Sequence, residues 1–172
     1  MALFKNNAFA QDEWRALGED ETLPLDGKVS LTLAQWRQRR DELRSRSANI
    51  PLGLRLDPGE KVDAIADDLG QLALIAIRFP KFTDGRGYSM GRQIRTVGGF
   101  TGELRATGDI LFDQLQLLSR CGFDAFELSD AATIRLLEGG RKPDMPLYYQ
   151  PGLGAEAAAV AARPWTRRSM AL

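Results

Sequence analysis

The chain has 172 residues, with 23 Lys and Arg against 23 Asp and Glu, one cysteine and no histidine. That length suits one domain with a real core rather than two, and zero net charge gives no general reason to bind nucleic acid or an anionic membrane, so any basic site must be local. Without histidine the commonest acid–base group and metal or haem ligand is missing, and Cys121 alone rules out an intramolecular disulfide or a dithiol cycle within the chain; chemistry would fall to carboxylates, Lys, Arg, Tyr, Ser, Cys121 or a borrowed cofactor.

At the start, MALFKNNAFAQDEW meets Asp12 and Glu13 before an apolar run of signal-peptide length forms. No run approaches the roughly 18 apolar residues of a membrane span, so a cytoplasmic protein without membrane contact is expected. Residues 1–30 read as an N-terminal extension with a turn at Asp26-Gly27, 31–150 as a single α/β domain and 151–172 as a flexible C-terminal tail. Between Leu31 and Ser45, Leu33, Trp36 and Leu43 recur at helical spacing, with Arg37, Arg39, Arg40 and Arg44 outside that stripe. The pattern predicts a packed helix with a solvated basic face.

From Ile50 onward an apolar segment, a punctuated loop and a helical pattern follow one another four times. The first unit is a strand over Pro51–Leu56, then DPGE, then a helix with Val62, Ile65, Ala66 and Leu69 on one face, capped by Asp57 with Pro58 in its first turn. The second is the strand Leu72–Phe79, apolar almost throughout as a doubly buried parallel strand is. Its helix follows DGRG and carries Tyr88, Gly91, Ile94 and Gly98 on one face. Gly91 lowers helix propensity by about 1 kcal/mol against Ala, which implies close packing there. The third unit pairs a strand over Thr101–Ala106 with a helix stacking Leu111, Leu115 and Leu118, beside Ile110, Leu117 and Cys121. The fourth pairs Phe123–Leu128 with a helix capped by Ser129 or Asp130 and bearing Ala131, Ile134 and Leu137. Beyond it, RKPDMPLYYQPGLG and the alanine-rich AEAAAVAAR predict an extended segment, a weak helix and a frayed end.

Strand and helix in alternation predict four tandem βα units around a parallel sheet, closed like half of a (βα)8 barrel or open and doubly wound. In either form ligands bind at the carboxyl ends of the strands. Asp57 and Glu60, Lys81, Asp84 and Arg86, Thr107 and Asp109, and Ser129 and Asp130 occupy those places, with Arg78 and Arg105 near strand ends. The strongest cluster is FPKFTDGRGYS. Lys81 and Arg86, with Arg105 from the next strand, would surround an oxyanion; Gly85 and Gly87 permit close backbone approach, Ser89 offers a hydroxyl, and Asp84 and Tyr88 complete an anion- or partner-binding set. The structural alternative is that Asp84 caps the helix and bonds Arg86 in a tight turn, with Lys81 solvated and Tyr88 a packed ring. DGRGYS matches neither the Walker loop nor GxGxxG, and no cofactor, metal or catalytic constellation is evident. Glu103 and Arg105 share a strand face and are expected to pair; Asp109 and Asp113 suit the start of the third helix as caps, and Cys121 suits core packing.

The wording of FPKFTDGRGYSMGRQIR, then GELRATGDILFDQLQLLSRCGFDAFEL, resembles the bacterial DUF934 family from about Ile50 to Leu137. That family is uncharacterised in mechanism and is commonly described as oxidoreductases of sulfite reduction, from gene neighbourhoods with sulfite reductase and the adenylyl-sulfate reducing enzyme. The resemblance implies a place in sulfate assimilation and cysteine biosynthesis. The expectation is an accessory protein that binds a sulfur oxyanion or docks on sulfite reductase through the loop after the second strand. The alternatives are an independent oxidoreductase with a borrowed cofactor, or a structural module that assembles with copies of itself through exposed strand edges.

Overall fold

The structure is a computed structural model that describes residues 1–45 and 50–143, with the backbone of 147–148 and 168–169. The alanine-rich stretch and most of the expected tail lie outside the described residues. All four expected βα units are present: β5 (Leu52–Leu56) with a 3₁₀ helix (Val62–Gln71), β6 (Leu72–Phe79) with α3 (Arg86–Thr96), β7 (Glu103–Gly108) with α4 (Gln114–Arg120), and β8 (Ala125–Leu128) with α5 (Ala131–Glu138). Ahead of them come β1 (Ala2–Lys5), β2 (Ala8–Ala10), β3 (Trp14–Ala16), β4 (Lys28–Thr32), α1 (Leu33–Gln38) and α2 (Arg40–Ser45).

Residues 1–30 are therefore part of the sheet rather than an appendage to it. The eight strands run β2-β1-β8-β7-β6-β5-β4-β3, with β3 through β8 parallel and the β1-β2 hairpin added antiparallel on β8. The expected helix at Leu31 begins two residues later because Val29 and Leu31 alternate with Ser30 and Thr32, a period of two that pairs with β5. Thr32 then starts α1 with a reciprocal cap: it accepts from the Gln35 N–H at 3.2 Å while Gln35 Oε1 accepts from the Thr32 N–H at 2.9 Å. Arg39 separates α1 from α2, so the single expected helix is two short ones.

Consecutive strand order settles the closure left open by periodicity. A doubly wound sheet reverses direction at a switch point, whereas here the strands from β3 to β8 advance the sheet the same way, and crossovers of the usual right hand then lay every helix on the same face. The result is a curled, half-barrel-like α/β fold. The chain itself demonstrates the curl. β2 and β3 sit at opposite ends of the strand order, yet only residues 11–13 join them. Four Cα steps reach about 14 Å at most, while seven strand spacings laid flat would span about 33 Å.

The helix side holds the core. Leu31, Leu54, Ile75 and Leu104 are register neighbours with no solvent exposure, and Ile77, Phe79 and Ala106 extend that layer. Several local expectations shift for identifiable reasons. β7 starts at Glu103 rather than Thr101 because Arg95 takes the Phe100 and Gly102 carbonyls at 2.6 and 2.8 Å, removing them from the ladder. Asp57 does not cap the following helix, which begins after Lys61 with no side-chain cap; it pairs with Arg78. Ala66 and Ala131, expected on packed faces, are exposed, as is Leu117. Asp130 rather than Ser129 caps α5, accepting from the Thr133 N–H at 2.6 Å. Cys121 closes α4 half-buried against the core, where burial pushes its thiol up despite Arg92 and Arg120.

Candidate functional site

With Ile75, Ile77 and Phe79 turned to the helices, alternate residues of each strand face the inside of the curl. Register sets the rows. Arg55, Ala76 and Arg105 lie side by side on β5, β6 and β7, and Arg78 and Thr107 form the next row toward the carboxyl ends. Together with Trp14, Ser30, Leu74 and Glu127 they line a cavity of about 480 Å³, a size suited to a small molecule.

Arg105 is the most heavily bonded residue here, at 3% exposure. It donates to both oxygens of Asp12 at 2.7 and 3.1 Å and, through Nε, to Glu103 at 2.8 Å, with Glu127 a further 3.9 Å away. Lys5 on β1 binds the other oxygen of Glu103 at 2.6 Å. Burial works against the Arg105 charge, but Asp12 and Glu103 outweigh it and hold its pKa raised. Burial likewise pushes the Asp12 carboxyl up, and the bonds from Arg105 and the Trp14 N–H leave it lowered. The expected pairing of Glu103 with Arg105 is present, extended by an N-terminal carboxylate 93 residues away. Arg78 pairs with Asp57 at the rim, and Glu60 accepts from the Asp57 N–H at 2.7 Å. Arg55 differs from both: its Nε–H is buried and has no hydrogen-bond partner among the described residues.

The structure gathers most of the residues expected at the DGRGYS loop but leaves Arg105 elsewhere. Lys81 and Ser89 are exposed on the β6–α3 loop and the first turn of α3. Gly85 is the N-cap of α3 and makes no side-chain cap. Asp84 accepts from the Arg86 N–H at 3.2 Å and from its guanidinium at 3.0 and 2.7 Å, which holds the Asp84 carboxyl at about 2 and raises Arg86. The tight-turn alternative thus describes this pair. Gly87 is close-packed for an internal reason, since a Cβ there would lie 2.7 Å from Phe79 Cε1. Tyr88 packs edge-on against Phe79 with centroids 5.3 Å apart; burial raises its phenol while a bond with Gln114 lowers it. Arg105 lines the interior cavity, which neither Lys81 nor Arg86 does.

Of the two residues expected as caps of α4, Asp113 is the N-cap but makes no side-chain cap, and Asp109 is used elsewhere. Asp109 accepts the Phe82 N–H at 2.9 Å, and Gln114 donates to the Phe82 carbonyl at 2.7 Å while accepting the Leu111 N–H at 3.0 Å. Phe82 is thereby held on both sides of its main chain while its side chain stands 50% exposed. Sequence reasoning missed Arg55 as well. Its signal was the arginine in the otherwise apolar LGLRL, at the phase opposite Leu54 and Leu56. Among the described residues no His, Cys, Asp or Glu group is arranged to hold a metal ion, and no helix is long and apolar enough to cross a membrane.

A family model described as a bacterial protein of unknown function (DUF934) matches residues 53–160. The span contains Arg55, Arg78, Arg105 and the whole β6–α3 loop, while Asp12 and Lys5 come from outside it. No curated protein matches the chain.

Proposed function

Since the chain belongs to the DUF934 family, whose description assigns no activity, we propose that it is a cytoplasmic accessory protein of assimilatory sulfite reduction that docks on sulfite reductase through the β6–α3 loop. The pathway rests on the family resemblance. The docking mode rests on one observation: a half-exposed Phe82 whose backbone is fixed by Asp109 and Gln114. An exposed aromatic on a fixed main chain loses little backbone entropy on association, and aromatic residues are among the commonest energetic anchors of protein interfaces. Lys81 beside it suits an acidic partner surface.

Capture of a free sulfur oxyanion by the same loop is the weaker use of it. The start of α3 would attract an anion, but Asp84 already places a carboxylate there, bonded to the Arg86 N–H and guanidinium. A small anion would have to displace it, whereas a docking protein need only cover Phe82. In a pull-down on purified sulfite reductase, Phe82→Ser is expected to weaken retention about tenfold or more, the loss typical of an interface aromatic, with Lys81→Ala a smaller loss. Equal retention of wild type and Phe82→Ser, with both folded by circular dichroism, would exclude this docking mode. Isothermal titration with sulfite separates the two uses, because saturable binding lost in Arg86→Ala would favour the anion.

A further inference from the structure

Ala76 forms a low step in the interior cavity, flanked across the ladder by Arg55 and Arg105. The two guanidiniums are not equivalent. Arg105 has its donors directed at Asp12 and Glu103. Arg55 keeps a buried Nε–H without an acceptor among the described residues. Guanidinium groups facing an enclosed space are almost always paired, yet Arg55 lines a cavity of about 480 Å³ with no hydrogen bond or ion pair from its side chain to any described residue, so its outer N–H groups ask for an acceptor brought in from outside.

We propose that this cavity binds a small organic monocarboxylate, its carboxylate on Arg55 and its apolar body against Trp14, Leu74 and Ala76. The fork of a guanidinium matches a carboxylate in two parallel hydrogen bonds. Charge selects the class. Three arginines line the cavity against four carboxylates, Asp12, Asp57, Glu60 and Glu127. A single negative charge answers Arg55, whereas a dianion such as sulfate or phosphate brings a second charge into a lining that already holds four carboxylates. The apolar wall acts in the same direction, since inorganic oxyanions have nothing to bury there. This site is separate from Phe82 and does not depend on the docking reading.

Isothermal titration of the full chain with butyrate, benzoate, sulfate and phosphate tests the assignment. Butyrate and benzoate bind saturably to wild type and to Phe82→Ser; Arg55→Met weakens them about tenfold or more, and Arg55→Lys, which keeps the charge without the fork, falls between. Sulfate and phosphate bind more weakly than either carboxylate. Absence of saturable binding by both carboxylates overturns the proposal, as does wild-type affinity in folded Arg55→Met or tighter binding of either inorganic anion. The Arg55 Nε–Hε resonance of the wild-type protein gives a readout that needs no variant to fold. It shifts on titration with butyrate, and an unmoved resonance equally overturns the assignment.

Discussion

Gly108→Ala is expected to destabilise the protein by about 3 kcal/mol or more. Gly108 ends β7 with φ of 98°. A left-handed conformation costs an L-residue about 1–2 kcal/mol by itself. Here the added Cβ would also overlap the carbonyl oxygen of Phe79, which is main chain of the neighbouring strand and already accepts from the Asp109 N–H at 2.8 Å. Backbone cannot rotate aside as a side-chain tip can, so relief means separating the ends of β6 and β7. Gly99 provides the control: its φ is 63°, but nothing lies within 4 Å of a Cβ built there. Denaturant titration should place Gly99→Ala near the conformational cost alone and Gly108→Ala clearly below it. Equal midpoints for the two would remove the steric argument.

The same position couples stability to docking. Gly108 sets where Asp109 emerges, and Asp109 holds the Phe82 N–H. A shift at the β7 terminus therefore loosens the clamp from one side while Gln114 still grips the other. Loss of partner retention in Gly108→Ala beyond that explained by unfolded protein would be the functional sign of the displacement, because the exposed ring would then sit on a loosened main chain.

The legible parts of this fold are those whose instructions are local. β6 runs over Leu72–Phe79 as expected because a long apolar stretch between turn residues suits a strand covered on both faces. The close packing inferred for Gly91 holds too, with a Cβ there 2.7 Å from Phe123 Cζ. The instructions for β3 and β4, and for where the β1-β2 hairpin docks, are not local. These strands are three to five residues long and gain their place from distant partners, such as Leu3 opposite Glu127. Gly87 illustrates a second kind of illegibility: a glycine signals that something approaches closely, and only coordinates say that it is the Phe79 ring rather than a ligand. The candidate site suffered from both. Arg105 was correctly expected to have partners, but Asp12 belongs to the segment read as an extension, and its carboxylate changes Arg105 from an available cation into a neutralised one. Consecutive strand order then matters more than the loop motif, since it leaves one face of the sheet free of helices and turns Arg55 into the interior.

Asp68→Ala is expected to cost about 1–3 kcal/mol, the range for leaving a buried donor unsatisfied, because the two arginines of the cluster are 37% and 45% exposed and can turn to water. Asp68 is 1% exposed and accepts from Trp36 Nε1 at 3.0 Å and Arg44 at 3.0 Å, with Arg40 Nε also 3.0 Å from one of its oxygens. One carboxylate thus ties α1 and α2 to the 3₁₀ helix between β5 and β6. Removing it orphans a buried indole N–H and leaves two arginines without their shared counter-charge. Burial pushes the Asp68 carboxyl up, but the bonds from Trp36, Arg40 and Arg44 outweigh it and leave it lowered from 3.8. A depressed folded-state pKa means that the native state holds its proton less tightly than the unfolded chain. The contribution is therefore complete above about pH 4 and declines as pH falls through the lower native value. Asp68→Asn separates charge from shape, because it keeps an oxygen for Trp36 and cannot titrate. The stability gap between wild type and Asp68→Asn should be constant near neutrality and narrow below about pH 4. A gap that stayed flat into acid would mean that the arginines contribute packing alone, and that the α1–α2 layer is held by Trp36 and Leu43 in the core rather than by the carboxylate beneath them.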